Sequence, residues 1–168
     1  MELNELHLEK AKLEEFEEYY AIKCEEFNLY WTAGNYKEVP KDRLWRFYKG
    51  CIENQNGVVR KEIYFIKDIE YRVVGYLYLD IQGDTIDIPI AVKKKYTGKG
   101  YGKAAVLLGL DMAKSMGFKK TIGKIREDNI ASMKLYTGCG YTVMDEFVEI
   151  YSEILHKNIK MYTVYKDL

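Results

Sequence analysis

Between residues 85 and 116 the hydrophobic period of the chain changes from two to nearly four across a glycine-rich turn, and few folds accommodate that change. Ile86, Ile88, Ile90 and Val92 alternate with Asp87, Pro89 and Ala91, as in a strand with one face buried. Gly98, Gly100 and Gly102 follow, and residues 103–116 then repeat apolar positions at helical spacing up to Gly117, a stop signal. A strand that passes through a glycine turn into a helix requires a sheet with helices packed on it. Two more period-two runs, 63–66 and 73–81, precede it, joined by polar turns at 67–71 and 82–84, so an antiparallel meander is expected.

Upstream, residues 6–10 read as an opening strand. Leu13, Phe16, Tyr20, Cys24, Phe27 and Trp31 recur along one face of a first helix. Pro40 and Asp42 introduce a second over 43–52, carrying Leu44, Trp45, Phe47 and Tyr48. Downstream come a strand at 120–126, a short helix at 129–138 and closing strands at 141–150 and 159–165. The predicted order, β-α-α-β-β-β-α-β-α-β-β, is of the α+β class, a mixed α/β sheet with flanking helices. The only break in the patterning falls at 53–57, and one domain over residues 1–168 is the simplest reading.

Lys and Arg total 26 and Asp and Glu total 26, so bulk attraction to nucleic acid is not expected. Cys24, Cys51 and Cys139 are an odd number without paired spacing, which supports neither a disulfide framework nor a metal site and fits a reducing cytoplasm. Cys139, with no histidine near it in sequence, reads as core; His7 and His156 read as surface or satisfied residues. No stretch has the apolar length of a membrane span, and the first residues lack a leader pattern.

The glycine turn carries the strongest chemical signal. In Lys95-Tyr96-Thr97-Gly98-Lys99-Gly100-Tyr101-Gly102-Lys103 the backbone N–H groups of an incipient helix face outward. Lys93, Lys94, Lys95, Lys99 and Lys103 place five positive charges within eleven residues. Phosphate suits such a site, as does the plainer reading of a tight turn with a solvated lysine face. The spacing excludes a P-loop, since Ala104 follows Lys103, and also the dinucleotide fingerprint, since the glycines fall at alternate positions.

Thr97-Gly98-Lys99-Gly100-Tyr101-Gly102-Lys103-Ala104 resembles the acyl-CoA pyrophosphate loop of the GCN5-related N-acetyltransferase (GNAT) family. Some 30 residues on, Asn129-Ile130-Ala131-Ser132-Met133-Lys134-Leu135-Tyr136, leading to Gly140-Tyr141, resembles that family's second motif. Thr97 stands where the family usually has Gln or Arg. A register starting at Lys95 restores a basic residue but puts Gly102 inside the helix, and the register starting at Thr97 is preferred. The resemblance covers about residues 60–165.

The resemblance implies acetyl-CoA as co-substrate, no metal, and direct transfer of acetyl to a primary amine of a small molecule or peptide in a ternary complex. Self-association as a homodimer is left open. Ile90, Ala91 and Val92 would lie along the pantetheine arm, with a backbone N–H polarising the thioester carbonyl. Thr97, Gly98, Lys99, Gly100, Tyr101, Gly102 and Lys103 would hold the pyrophosphate. Tyr136 would protonate the leaving thiolate, and Asp87 would be the base. Asp87 would need either a pKa raised above the ordinary value of about 3.9 or a water relay; otherwise it is simply an exposed charge beside a turn. Asn129 suits a helix N-cap, a CoA contact, or both, and Ser132 accompanies it. Pro89 suggests a bulge, a splayed strand pair or a strand end.

Tyr30 and Trp31, before Ala33 and Gly34, are acceptor-pocket candidates through cation–π contact, or else a core-facing helix end. Nine acids against three lysines in the first 30 residues, Glu2 and Glu5 among them, would suit a cationic acceptor or form a solvated helix face. The competing function is a non-catalytic acyl-CoA-binding or sensor domain on the same fold; nucleic-acid binding through the lysines is weaker.

Overall fold

The computed structural model describes residues 6–32, 39–54 and 60–168. Glu2, Glu5, Ala33, Gly34 and most of the break at 53–57 lie outside them. The strands are β1 (Leu6–Lys10), β2 (Arg60–Asp68), β3 (Val73–Gln82), β4 (Thr85–Asp87), β5 (Ile90–Val92), β6 (Lys120–Arg126), β7 (Thr142–Ser152) and β8 (Lys157–Asp167). They form one eight-stranded sheet in the order β1-β2-β3-β4-β6-β8-β7, with β5 also pairing β3. Neighbours run antiparallel except β4 and β6, which are parallel and meet at Ile86 and Thr121. The mixed α/β class expected from the periodicity is the one observed.

Helices cover both faces. α1 (Phe16–Lys23) and α3 (Lys41–Ile52) enclose one core with Phe16, Tyr19, Ile22, Tyr48, Phe65 and Tyr76, and α2 (Glu26–Trp31) follows α1. α4 (Tyr101–Ser115) and α5 (Ile130–Gly138) enclose the other with Leu77, Leu79, Ile86, Ile88, Val106 and Tyr136. None of the described helices is long and apolar enough to cross a membrane.

Three local readings of the sequence need correction. The first helix is broken at Cys24–Glu25, where Glu25 turns to extended ψ. The break shifts the buried face to Phe16, Tyr19 and Ile22 rather than Tyr20 and Cys24. Asn28 stabilises the corner by donating Nδ2 to the Ile22 carbonyl at 2.9 Å and, at 3.4 Å, to that of Val92. This contact lays α2 against the end of β5.

Second, the strand read at 85–92 is two short strands separated by Ile88 and Pro89. No bulge is present: Asp80 opposite Asp87 and Leu77 opposite Ile90 keep one register on β3. Tyr78 N–H donates to the Pro89 carbonyl at 2.9 Å. Proline has no N–H to return, so one ladder bond is missing and the strand divides there.

Third, α4 starts at Tyr101, two residues before the expected start, with Gly100 as its N-cap at φ 87°. Gly102 is therefore helical in either register, so its helical position does not decide between them. Its packing gives a separate reason for a small residue: a Cβ there would lie 3.1 Å from Ile90 Cδ1 and 3.6 Å from a Leu135 methyl.

Gly75 controls how closely β5 can approach β3, since a Cβ at that position would lie 2.3 Å from the Ala91 carbonyl oxygen. Backbone cannot yield as a flexible side chain can, so Gly75→Ala is expected to cost about 1–3 kcal/mol, read as a lowered urea midpoint. An unchanged midpoint would show that this approach is not constrained.

Candidate active site

Past Ile86, β5 stays on β3 while β6 runs on beside β8, and a cleft of about 250 Å³ opens between them. Asp87, Pro89, Ile90 and Ala91 form one wall and residues 123–126 the other. Asn129, Ser132 and Tyr136 of the α5 region reach in from one side, and Lys23, Asn28 and Trp31 from the other.

The ladder fixes which backbone groups face this opening. Pro89 and Lys93 turn their polar groups toward β3, through Tyr78 N–H to Pro89 O and Lys93 N–H to Val74 O, both at 2.9 Å. By alternation Ile88, Ile90 and Val92 turn theirs to the deserted edge. Side chains cover part of it: the Ile88 N–H donates to Asp87 Oδ1 at 2.8 Å, the Ile88 carbonyl accepts from the Tyr136 hydroxyl at 2.7 Å, and Asn28 reaches Val92 O. No side chain among the described residues caps the N–H groups of Ile90 and Val92. The cleft wall thus presents one backbone donor at Ile90, with that of Val92 next along the same edge, within the segment expected to polarise a carbonyl.

Asp87 lies opposite Asp80 on β3, and a Cβ on Gly123 would come within 2.5 Å of Asp87 Oδ1, so the glycine makes room for the carboxyl. Burial raises the Asp87 pKa to about 7; the Ile88 N–H opposes the rise, Asp80 adds to it, and Lys61 opposes it. Lys61 is itself held by Asp80 at 2.7 Å. An acid in this state exchanges protons near neutrality. The Tyr136 hydroxyl is pushed well above the ordinary tyrosine range, first by burial and then by the Asp87 charge, so it keeps its proton.

Asn129 is the N-cap of α5: its side chain accepts from the Ser132 N–H at 3.0 Å, and both residues border the cleft. At the glycine turn Gly98 and Gly100 have φ of 74° and 87°, which opens the first-turn N–H groups of α4 to solvent. Thr97 closes on the Lys94 carbonyl through its hydroxyl at 2.8 Å. Lys93 is taken up by Glu18. Lys94, Lys95, Lys99 and Lys103 have no carboxylate partner among the described residues. Positive-φ glycines at a helix start and lysines without a carboxylate partner among the described residues suit a pyrophosphate.

Tyr30 and Trp31 are placed differently from a simple acceptor cage. Their rings lie 5.2 and 5.0 Å from the Arg126 guanidinium, and the Tyr30 carbonyl accepts from Arg126 at 2.6 Å. Asp128 neutralises that guanidinium at 2.7 Å. Trp31 borders the cleft, while Tyr30 stands behind it. The rings already hold a cation of the protein itself.

Sequence reasoning missed Lys23, Asn28, Tyr76, Tyr78 and Arg126, all of which border the cleft. Gly75 and Gly123 carried a usable signal, since an isolated glycine in a strand marks a close approach. Cys139 is buried, as expected, and no group of three or more metal-ligating side chains is assembled among the described residues.

The profile of the Acetyltransferase (GNAT) family matches residues 15–141. No curated protein matches the sequence. Among solved structures, spermidine N-acetyltransferase from Vibrio cholerae in complex with CoA and spermine superposes with a TM-score of 0.84 at 15% identity, covering 98% of this chain and 96% of that one. The acetyl transferase from Salmonella typhimurium that modifies the N-terminal serine of ribosomal protein L7/L12 gives 0.80 at 15% identity, covering 98% and 95%. The microcin C7 self-immunity acetyltransferase, in complex with acetyl-CoA and AMP, gives 0.77 at 20% identity, covering 98% and 93%. These likenesses show the fold, and because the family match spans most of the sequence, the chain belongs to the GNAT family of N-acetyltransferases.

Proposed function

We propose that this enzyme transfers acetyl from acetyl-CoA directly to a primary amine of a small molecule or peptide, with both substrates bound together. The observation that carries the reading is the convergence on one opening of Asp87, Tyr136 and the uncapped N–H of Ile90, with the uncapped N–H of Val92 next along the same strand edge. Acetyl-CoA supplies the activated acetyl group. Gly98, Lys99, Gly100, Tyr101, Gly102 and Lys103 receive its pyrophosphate, with Asn129 and Ser132 alongside the arm; Thr97 provides only a hydroxyl there. The Ile90 or Val92 N–H meets the charge that builds on the carbonyl oxygen. Asp87 accepts the proton given up as the amine nitrogen bonds to the carbonyl carbon. As the carbon–sulfur bond breaks, Tyr136 gives its proton to sulfur. Trp31 borders the acceptor side.

Tyr136→Phe is expected to lower kcat by about 100-fold or more with acetyl-CoA affinity retained, measured by thiol release and calorimetry. It also leaves the Ile88 carbonyl unsatisfied, at a cost of about 1–3 kcal/mol, so assays belong well below the melting temperature. Undiminished turnover would remove Tyr136 as the acid. If acetyl-CoA raised the melting temperature while no amine was turned over, the protein would bind without catalysing.

Asp87 makes a pH-dependent contribution of known sign. Its folded pKa is raised to about 7 from an unfolded value near 3.8, so the folded state binds more protons between those values and stability falls as pH rises through that window. Asp87→Asn is expected to flatten this slope in urea melts between pH 4 and 8, taken as about the span of the two values. It should also abolish the acid limb of kcat/KM near pH 7. An unchanged acid limb would assign the base elsewhere.

A further inference from the structure

We infer that the acceptor is an amine that also carries an anionic group, a carboxylate or its like, and that Lys23 is the residue that selects it. This rests on the transfer reading above and specifies its substrate. The acidic excess of the N-terminal segment pointed to a cationic acceptor, yet the structure uses those acids elsewhere. Glu9 is held by Lys67 at 2.7 Å, Glu17 by Lys41 at 2.7 Å, and Glu18 by Lys93. Glu25 accepts from the Lys94 N–H at 2.9 Å and from Asn28 at 3.1 Å. None of them borders the cleft.

The charge that does border it is of the opposite sign. Among the described residues Asp87 is the single acid in the lining, against Lys23, Lys124 and Arg126. Asp128 answers Arg126, and Lys124 is exposed. Lys23, at the C-terminal end of α1, is partly buried and has neither an ion pair nor a hydrogen bond among the described residues. Burial lowers its pKa, Lys61 lowers it further, and Cys24 opposes. Lys23 lines the same cleft as Asp87, where the proposed reading puts the amine, and none of residues 97–103 of the glycine turn lines it.

A partly desolvated ammonium without a counterion is costly unless an anion completes it. Tyr76 and Tyr78 line the cleft with Lys23, and the Tyr78 hydroxyl is already paired with that of Tyr19 at 2.7 Å. An acceptor with its amine toward Asp87 and an anion toward Lys23 satisfies both charges; a polyamine would set a second cation against Lys23.

The test compares thiol release for amino acids and ω-amino acids, their matched carboxamides, and spermidine and spermine, with wild-type protein and Lys23→Gln and Lys23→Arg variants. Acids should exceed their carboxamides by at least tenfold in kcat/KM, the preference should collapse toward unity in Lys23→Gln, and Lys23→Arg should restore much of it. Preference for polyamines or carboxamides, or an acid preference undisturbed in Lys23→Gln, overturns the acceptor class and leaves acetyl transfer standing. No turnover of any amine, with acetyl-CoA still raising the melting temperature, overturns the transfer reading and this inference with it.

Discussion

Residues 85–92 are held by β3 along their whole length and by β6 at one point only, and the rest of the molecule is arranged around that imbalance. Register on β3 is continuous from Asp87 to Ile90, so the strand has not slipped or bulged. What changes is its other edge, which loses a strand partner after Ile86. A buried amide left without a partner costs about 1–3 kcal/mol, so such an edge persists only if something else satisfies it. Asp87, Tyr136 and Asn28 do so for Ile88 and the Val92 carbonyl. These residues come from the strand itself, α5 and α2; α5 is seated by the core around Tyr136, and α2 by the Asn28 corner bonds. Three side chains thus lie against one strand edge, and the N–H groups of Ile90 and Val92 have no side-chain partner among the described residues.

The same geometry organises the electrostatics. Burial, not the neighbouring Asp80, is the larger cause of the raised Asp87 pKa, because Lys61 ties Asp80 and offsets the repulsion. Glu17, Glu9 and Glu18 are drawn off to Lys41, Lys67 and Lys93, and among the described residues the cleft is lined by one acid. Charge counted along the first 30 residues and charge counted around the cavity among the described residues have opposite signs, and a ligand meets only the second.

Part of the fold could be read from periodicity, as at β6, where burial alternates along the strand, whereas β3 is buried on both faces. The 120–126 strand matches its bounds as predicted, and the glycine turn lies between strand and helix as expected. Misreadings occurred where a tertiary contact overrode a local pattern. Residues 13–31 keep helical spacing through Cys24, and only Asn28 bonding back to Ile22 and across to β5 reveals the corner. Pro89 was informative as a missing donor, but which edge would splay depended on β6, some 30 residues later in the chain. At the site, Tyr136, Asp87 and Asn129 could be singled out because they sit in motifs or alternations. Lys23, Tyr76, Tyr78 and Arg126 could not, since each looks locally like an ordinary surface lysine, core tyrosine or strand arginine. The cation meant for the Tyr30 and Trp31 rings was supplied from 96 positions away.

Tyr136 shows why structural and chemical roles coincide here. Its hydroxyl occupies the place where a β6 N–H would have bonded the Ile88 carbonyl, and its ring packs edge-on against Tyr141 at 5.1 Å. A phenol in that position must have an acceptor at rest, and the deserted strand edge provides one. In the proposed mechanism, passing the proton to a thiolate in the cleft exchanges that acceptor for a better one and forfeits about one net hydrogen bond, roughly 1 kcal/mol. That loss is small beside the barrier an acid can remove. The bond that closes the strand edge also holds Tyr136 beside the cleft, so in the proposed mechanism stability and proton donation depend on the same hydroxyl rather than competing for it.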